Sequence, residues 1–116
     1  MPYSNNDRLI VSLCLMSLFL LFFAGCEKET SPAVKLYVDA VKLRQQNQNQ
    51  QALSKLNASV EQQGNFSLGY SLMGDIYKQL KQYEKSAASY RKAAQLNPWS
   101  FKDHYNLGRT YQIMEK

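Results

Sequence analysis

The chain has 116 residues, 20% of them charged, with 14 basic and nine acidic side chains and a net charge of +5. That length limits it to one domain with a small core. The charge is moderate, the excess lysine of a solvated surface, and in a chain that opens with an export segment it argues against a nucleic-acid partner; contact with anionic lipid headgroups is the secondary expectation.

That segment comes first. Arg8 precedes the mostly apolar stretch from Leu9 to Phe23, which ends in Ala24-Gly25-Cys26. Roughly 18 to 20 apolar residues are needed to span a bilayer, so the shorter stretch reads as a cleaved hydrophobic region in place of a permanent anchor. An uncleaved amphiphilic anchor and ordinary signal cleavage nearby are the alternatives. Phe23-Ala24-Gly25-Cys26 resembles the lipobox of bacterial lipoproteins, with Phe where that family has Leu. The resemblance implies removal of residues 1–25 as a lipoprotein signal peptide and lipid attachment at Cys26, its sulfur carrying diacylglycerol and its amine an acyl chain. Each buried methylene then contributes about 0.8 kcal/mol, enough for two or three chains to hold a small protein on a membrane. Glu27 follows the cysteine where an inner-membrane lipoprotein would carry Asp, which by the enterobacterial sorting rule implies the outer membrane, facing the periplasm. With Cys14 removed and Cys26 lipidated, no thiol is left for an intrachain disulfide. Stability must come from packing.

Residues 26–32 read as the lipidated cysteine and a short polar linker. Ser31-Pro32 is an N-cap followed by proline in the first helical turn, and helices are predicted over 33–46, 49–62, 67–80, 83–96 and 101–114. The Gln/Asn run from Gln45 to Gln51 is the turn within the first pair. Asn97-Pro98 stops the fourth of these helices, and Ser100-x-x-Asp103 has the spacing of a capping box with Asp in place of Glu.

A period of 34 residues runs through these elements. Tyr70-x-x-Met73-Gly74-x-x-Tyr77 returns as His104-x-x-Leu107-Gly108-x-x-Tyr111, while Ser86, Tyr90, Ala93 and Pro98 fall at the spacings of a second helix and its terminator. A weaker copy lies 34 residues upstream, with Leu36, Ala40, Leu43, Ala52 and Leu56; it departs at Asp39, Ser59 and Gly64. The pattern resembles the tetratricopeptide repeat, W-x2-L-G-x2-Y then A-x3-F, Ala and Pro. The resemblance implies an all-α fold, a short helical-hairpin solenoid of about two and a half repeats over 33–116, divided as 33–66, 67–100 and a partial 101–116. Close helix pairing would then set Gly74 against Ser86 and Ala40 against Ala52. Tyr70, Tyr77, Tyr90 and Tyr111 would face partner helices, and His104 would be a packing or capping residue.

Phosphate-loop, paired-cysteine and nucleophile-elbow patterns are absent, so no catalytic residue, metal or cofactor is expected. Proteins of this repeat family bind peptides in the concave groove formed by their first helices. Its positions project onto Tyr37, Val41, Arg44, Ser71, Asp75, Lys78, Lys102, Tyr105 and Arg109. Four are basic and one acidic, which favours an acidic peptide or a C-terminal carboxylate; solvated helix faces are the alternative. The expected function is that of a non-catalytic adaptor or scaffold in assembly of a cell-envelope complex, such as a pilus, a secretion channel or outer-membrane assembly. An accessory subunit or regulator of an envelope or peptidoglycan enzyme is the alternative. Leu107, Gly108 and Tyr111 would normally pack on a following helix, so the stripe they form should dimerise, dock on a partner, or be covered by Ile113 and Met114.

Overall fold

The computed structural model describes residues 4–23, 25 and 28–116, of which residues 20–23 are described by their backbone alone. Cys26, the expected lipid-attachment residue, lies outside the described residues, as do Ala24 and Glu27. Six helices and no strand are present among the described residues: α1 Asn5–Phe23, α2 Pro32–Gln45, α3 Asn49–Gln62, α4 Ser67–Gln79, α5 Tyr83–Leu96 and α6 Phe101–Met114. The apolar side chains of α1 from Leu9 to Phe19 are more than half exposed. Among the described residues no helix is long and apolar enough to cross a membrane.

The five remaining helices follow the periodic pattern to within a residue or so. Ser31 caps α2 by accepting from the Val34 N–H at 3.3 Å, with Pro32 in the first turn where its missing donor costs nothing. Each helix packs on its chain neighbour: α2 on α3, α3 on α4, α4 on α5 and α5 on α6. Short connections make successive helices antiparallel, so α2, α4 and α6 run parallel with their N-termini along one edge.

The turns inside both hairpins have the same geometry, one repeat apart. Asn47 (φ 59°) and Lys81 (φ 58°) each occupy the left-handed region just past a helix end. The N–H groups of Gln48 and Gln82 then reach back at 2.9 Å to the carbonyls of Leu43 and Tyr77, a Schellman closure of the helix. Neither turn uses glycine, the residue that adopts this conformation without strain. The Gln/Asn run is thus only partly turn, because residues 49–51 already belong to α3.

A contiguous core joins the first three of these helices through Ala40, Ala52, Leu53, Leu56, Leu72, Met73 and Ile76. Ala40 and Ala52 are both fully buried. Gly74 and Ser86 meet as expected: the Ser86 hydroxyl donates to the Gly74 carbonyl at 2.8 Å. The Tyr90 ring lies over the glycine, where a Cβ would come within 2.7 Å of ring carbons. Ser59, at a position where alanine is expected, is buried and donates to the Ala33 carbonyl at 2.7 Å, so the departure adds a hydrogen bond without leaving a polar atom orphaned. Gly69 provides a second close approach, between repeats: a Cβ there would meet Val60 at 2.9 Å.

Three expectations need correction. Tyr90 is fully buried and Tyr70 and Tyr77 are half-buried, but Tyr111 is exposed on α6. No helix in the described chain covers it, and its hydroxyl instead accepts from Arg91. The capping box at Ser100 is one-sided. Ser100 accepts from the Asp103 N–H at 3.4 Å, but the Asp103 carboxylate turns away and accepts the Ser71 hydroxyl at 2.6 Å. Ile113 and Met114 are themselves 37% and 40% exposed, and the space beside Gly108 is open, with nothing within 4 Å of the place a Cβ would take.

Candidate functional site

Because α2, α4 and α6 are parallel neighbours in alternate order, side chains at matching positions line one continuous surface. It forms a cavity of about 490 Å³. Tyr37, Val41 and Arg44 reach it from α2, Ser71 and Asp75 from α4, and Lys102 from α6. Six of the nine projected groove residues are therefore brought together. The other three are placed elsewhere. Lys78 donates to Asn106 Oδ1 at 3.0 Å and lies 5.5 Å from the Tyr90 ring centroid, Tyr105 stacks on Phe101, and Arg109 reaches Gln112 in solvent. Leu68, Gln45, Gln79, Asn97, Ser100 and Asp103 also line the cavity, and the projection missed them. Gln45 and Gln79 stand 34 residues apart, a recurrence that would have found them.

Asp75 is the electrostatic centre of this surface. Its side chain is 15% exposed, accepts from Lys102 Nζ of α6 at 2.9 Å and from the Tyr90 hydroxyl of α5, and forms an ion pair with Arg44 Nη1 of α2 at 3.7 Å. Lys102 also donates to Ser71 Oγ at 3.2 Å, whose own proton goes to Asp103. Arg44 and Lys102 are thus balanced by Asp75 and Asp103. Where the sequence projected a basic groove, the cavity holds as many carboxylates as cations. Ring packing completes its wall, with Phe66 edge-on to Tyr37 at a centroid distance of 5.4 Å.

Burial pushes the Tyr90 hydroxyl well above the usual phenol range, and the hydrogen bond to the Asp75 carboxylate and its charge push it further. Tyr90 is therefore a donor at neutral pH and well into the alkaline range. Below about pH 10 the native and unfolded chains both keep this proton and stability does not depend on it. Above that pH the unfolded chain releases the proton while the native chain retains it, so stability falls as pH rises. In an alkaline absorbance titration, folded wild type and Tyr90→Phe are expected to give superimposable phenolate curves, diverging by one tyrosine only once the chain unfolds. An early divergence would show that Tyr90 ionises in the native state.

Among the described residues no group of three or more His, Cys, Asp or Glu side chains is placed to hold a metal ion. His104 is exposed on α6 and its Nε2 lies 3.0 Å from the Pro98 carbonyl, which ties the helix start to the preceding turn. A second, more polar trough runs along α3 and the start of α5, lined by Gln50, Asn57, Glu61, Tyr77, Gln82 and Lys85. Lys85 sits over the Tyr77 ring there, 5.7 Å from its centroid.

Residues 74–114 match the TPR repeat family. The chain is also similar to anaphase-promoting complex subunit 3 of Schizosaccharomyces pombe (strain 972 / ATCC 24843), 33% identical over 66 residues. The alignment covers 57% of this chain and 10% of that protein, so the chain spans about a tenth of the relative's length. Repeats of this kind are generally non-catalytic modules for protein–protein interaction. The helical pairs, their 34-residue period and the family match together make this an all-α helical-repeat solenoid.

Proposed function

We propose that the protein is a membrane-anchored, non-catalytic adaptor whose concave surface holds a peptide segment of a cell-envelope complex during its assembly. The observation that carries this reading is the cavity to which three parallel helices contribute side chains. Its wall offers Tyr37 and Val41 for apolar contact and the amides of Gln45, Gln79 and Asn97 for the peptide backbone. An acidic side chain or C-terminal carboxylate of the ligand gains Arg44 and Lys102 only by competing with Asp75, which makes binding sensitive to salt. The anchor in this reading is lipid on Cys26, supported by the lipobox-like sequence, and places the domain at the outer membrane facing the periplasm.

Crosslinking in native membranes tests it. Arg44→Glu puts a like charge beside Asp75 and repels a ligand carboxylate, so recovery of the crosslinked partner should fall about ten-fold or more. Arg109→Glu, whose side chain lies outside the cavity, should recover the partner as wild type does. Equal capture by Arg44→Glu at wild-type helicity would eliminate the groove. The intact mass of the same membrane-extracted protein reads whether the chain begins at an acylated Cys26.

A further inference from the structure

The N-terminal ends of α4 and α6 carry large apolar side chains in open solvent. Leu68, second residue of α4, is 55% exposed; Trp99, in the turn before α6, is 93% exposed; Phe101, the first residue of α6, is 80% exposed and stacks on Tyr105. None of these contributes to the core. Leu68 lines the same cavity as Asn97 and Ser100, so the two helix starts are neighbours along one edge. The N-terminus of α2, a parallel helix, lies on that edge too, and it is there that the chain leaves the solenoid toward Cys26.

The tether decides which way this edge faces. From Cys26 to Pro32 the chain can extend roughly 25 Å at most. A 14-residue helix such as α2 is itself about 21 Å long. Turning the solenoid over, with the aromatic edge away from the membrane, would require the tether to run the length of a helix and leave almost no slack. A hold by lipid on Cys26 thus turns the edge toward the bilayer.

We infer that Leu68, Trp99 and Phe101 form a lipid-docking edge that dips into the interfacial layer of the anchoring membrane and fixes the solenoid upright, with its concave cavity open sideways. This inference rests on the membrane-anchored reading above. Tryptophan and other aromatic side chains have the matching chemistry, an apolar body with a polar or quadrupolar rim suited to the headgroup level. Three side chains are too few to hold the protein alone; their role is orientation of a domain already tethered.

Trp99 is the chain's only tryptophan and reports on its own position. The full chain, extracted from membranes and reconstituted into phosphatidylethanolamine/phosphatidylglycerol vesicles, would be floated on a density gradient and its fluorescence quenched by aqueous iodide or by lipids brominated near the headgroup. The expected result is blue-shifted emission, loss of iodide quenching and strong quenching by the brominated lipid. Leu68→Asp combined with Phe101→Asp should still float yet restore iodide quenching. Flotation with Trp99 open to iodide in the wild type would overturn the docking edge and leave the anchor standing. Failure to float would overturn both. Shielding of Trp99 in native membranes but not in protein-free vesicles would assign the edge to a protein partner and overturn the lipid proposal.

Discussion

Tyr90→Ala is expected to lower the stability of the domain by about 3–5 kcal/mol, the usual cost of emptying a buried aromatic site. Among the described residues its side chain is the largest of the fully buried ones, and it joins the two halves of the second hairpin. The ring fills the space above Gly74 while the hydroxyl supplies one of the donors to Asp75. Against a total of about 5–15 kcal/mol for an ordinary domain, that loss leaves a small or vanishing margin. Tyr90→Phe separates the two contributions. It keeps the ring and removes the donor, so its cost should be about 1–3 kcal/mol, that of a hydrogen bond to a charged acceptor. Urea unfolding followed by far-ultraviolet circular dichroism measures both. A Tyr90→Ala midpoint equal to wild type would mean that the ring does not hold the hairpin.

The second large effect should appear as opposite signs at two glycines one repeat apart. Alanine raises helix propensity by roughly 1 kcal/mol over glycine at an exposed interior position. At Gly108 nothing opposes that gain, because a Cβ would meet open space, and Gly108→Ala should stabilise by up to about 1 kcal/mol. At Gly74 the same Cβ would press within 2.7 Å of the ring of Tyr90, which is itself fully buried. Overpacking of this kind costs about 1–3 kcal/mol or more, so Gly74→Ala should be net destabilising. A double-mutant cycle identifies the cause: in a Tyr90→Ala background Gly74→Ala should lose its penalty and become favourable. If the two glycines respond alike, the close approach of α4 and α5 is wrong.

The contrast between these glycines also shows what the sequence could and could not reveal. The 34-residue spacing made Gly74 and Gly108 equivalent, and both do lie on first helices. Spacing cannot tell whether a partner helix is there to meet them. The helices, their caps and the Gly74–Ser86 contact were legible because each depends on local chemistry or on a fixed offset within one hairpin. Contacts between hairpins were not. Asp103 was read from its neighbours as half of a capping box, but a hydroxyl from another helix, Ser71, competes for its carboxylate and wins. Lys78 was projected into the groove by its register, and the side chain instead reaches Asn106 and the Tyr90 ring. Lys81 adopts a left-handed conformation that its side chain does not announce. The cavity's charge balance follows from Asp75 gathering partners from three helices, a convergence that no periodicity in the chain encodes.

Packing concentrated between chain neighbours has a thermodynamic consequence. α3, α4 and α5 each pack closely on two chain neighbours, whereas α2 and α6 each pack closely on one and reach α4 through polar side chains such as Arg44, Lys102 and Asp103. Stability in such an array is a sum of unit and nearest-neighbour terms, so fraying begins at the ends and moves inward. Arg44 and Lys102, two cationic arms of the cavity, stand on those outermost helices. A ligand that bridges them would link the two weakest elements across the strongest, and by mass action would suppress fraying at both ends in a single binding event.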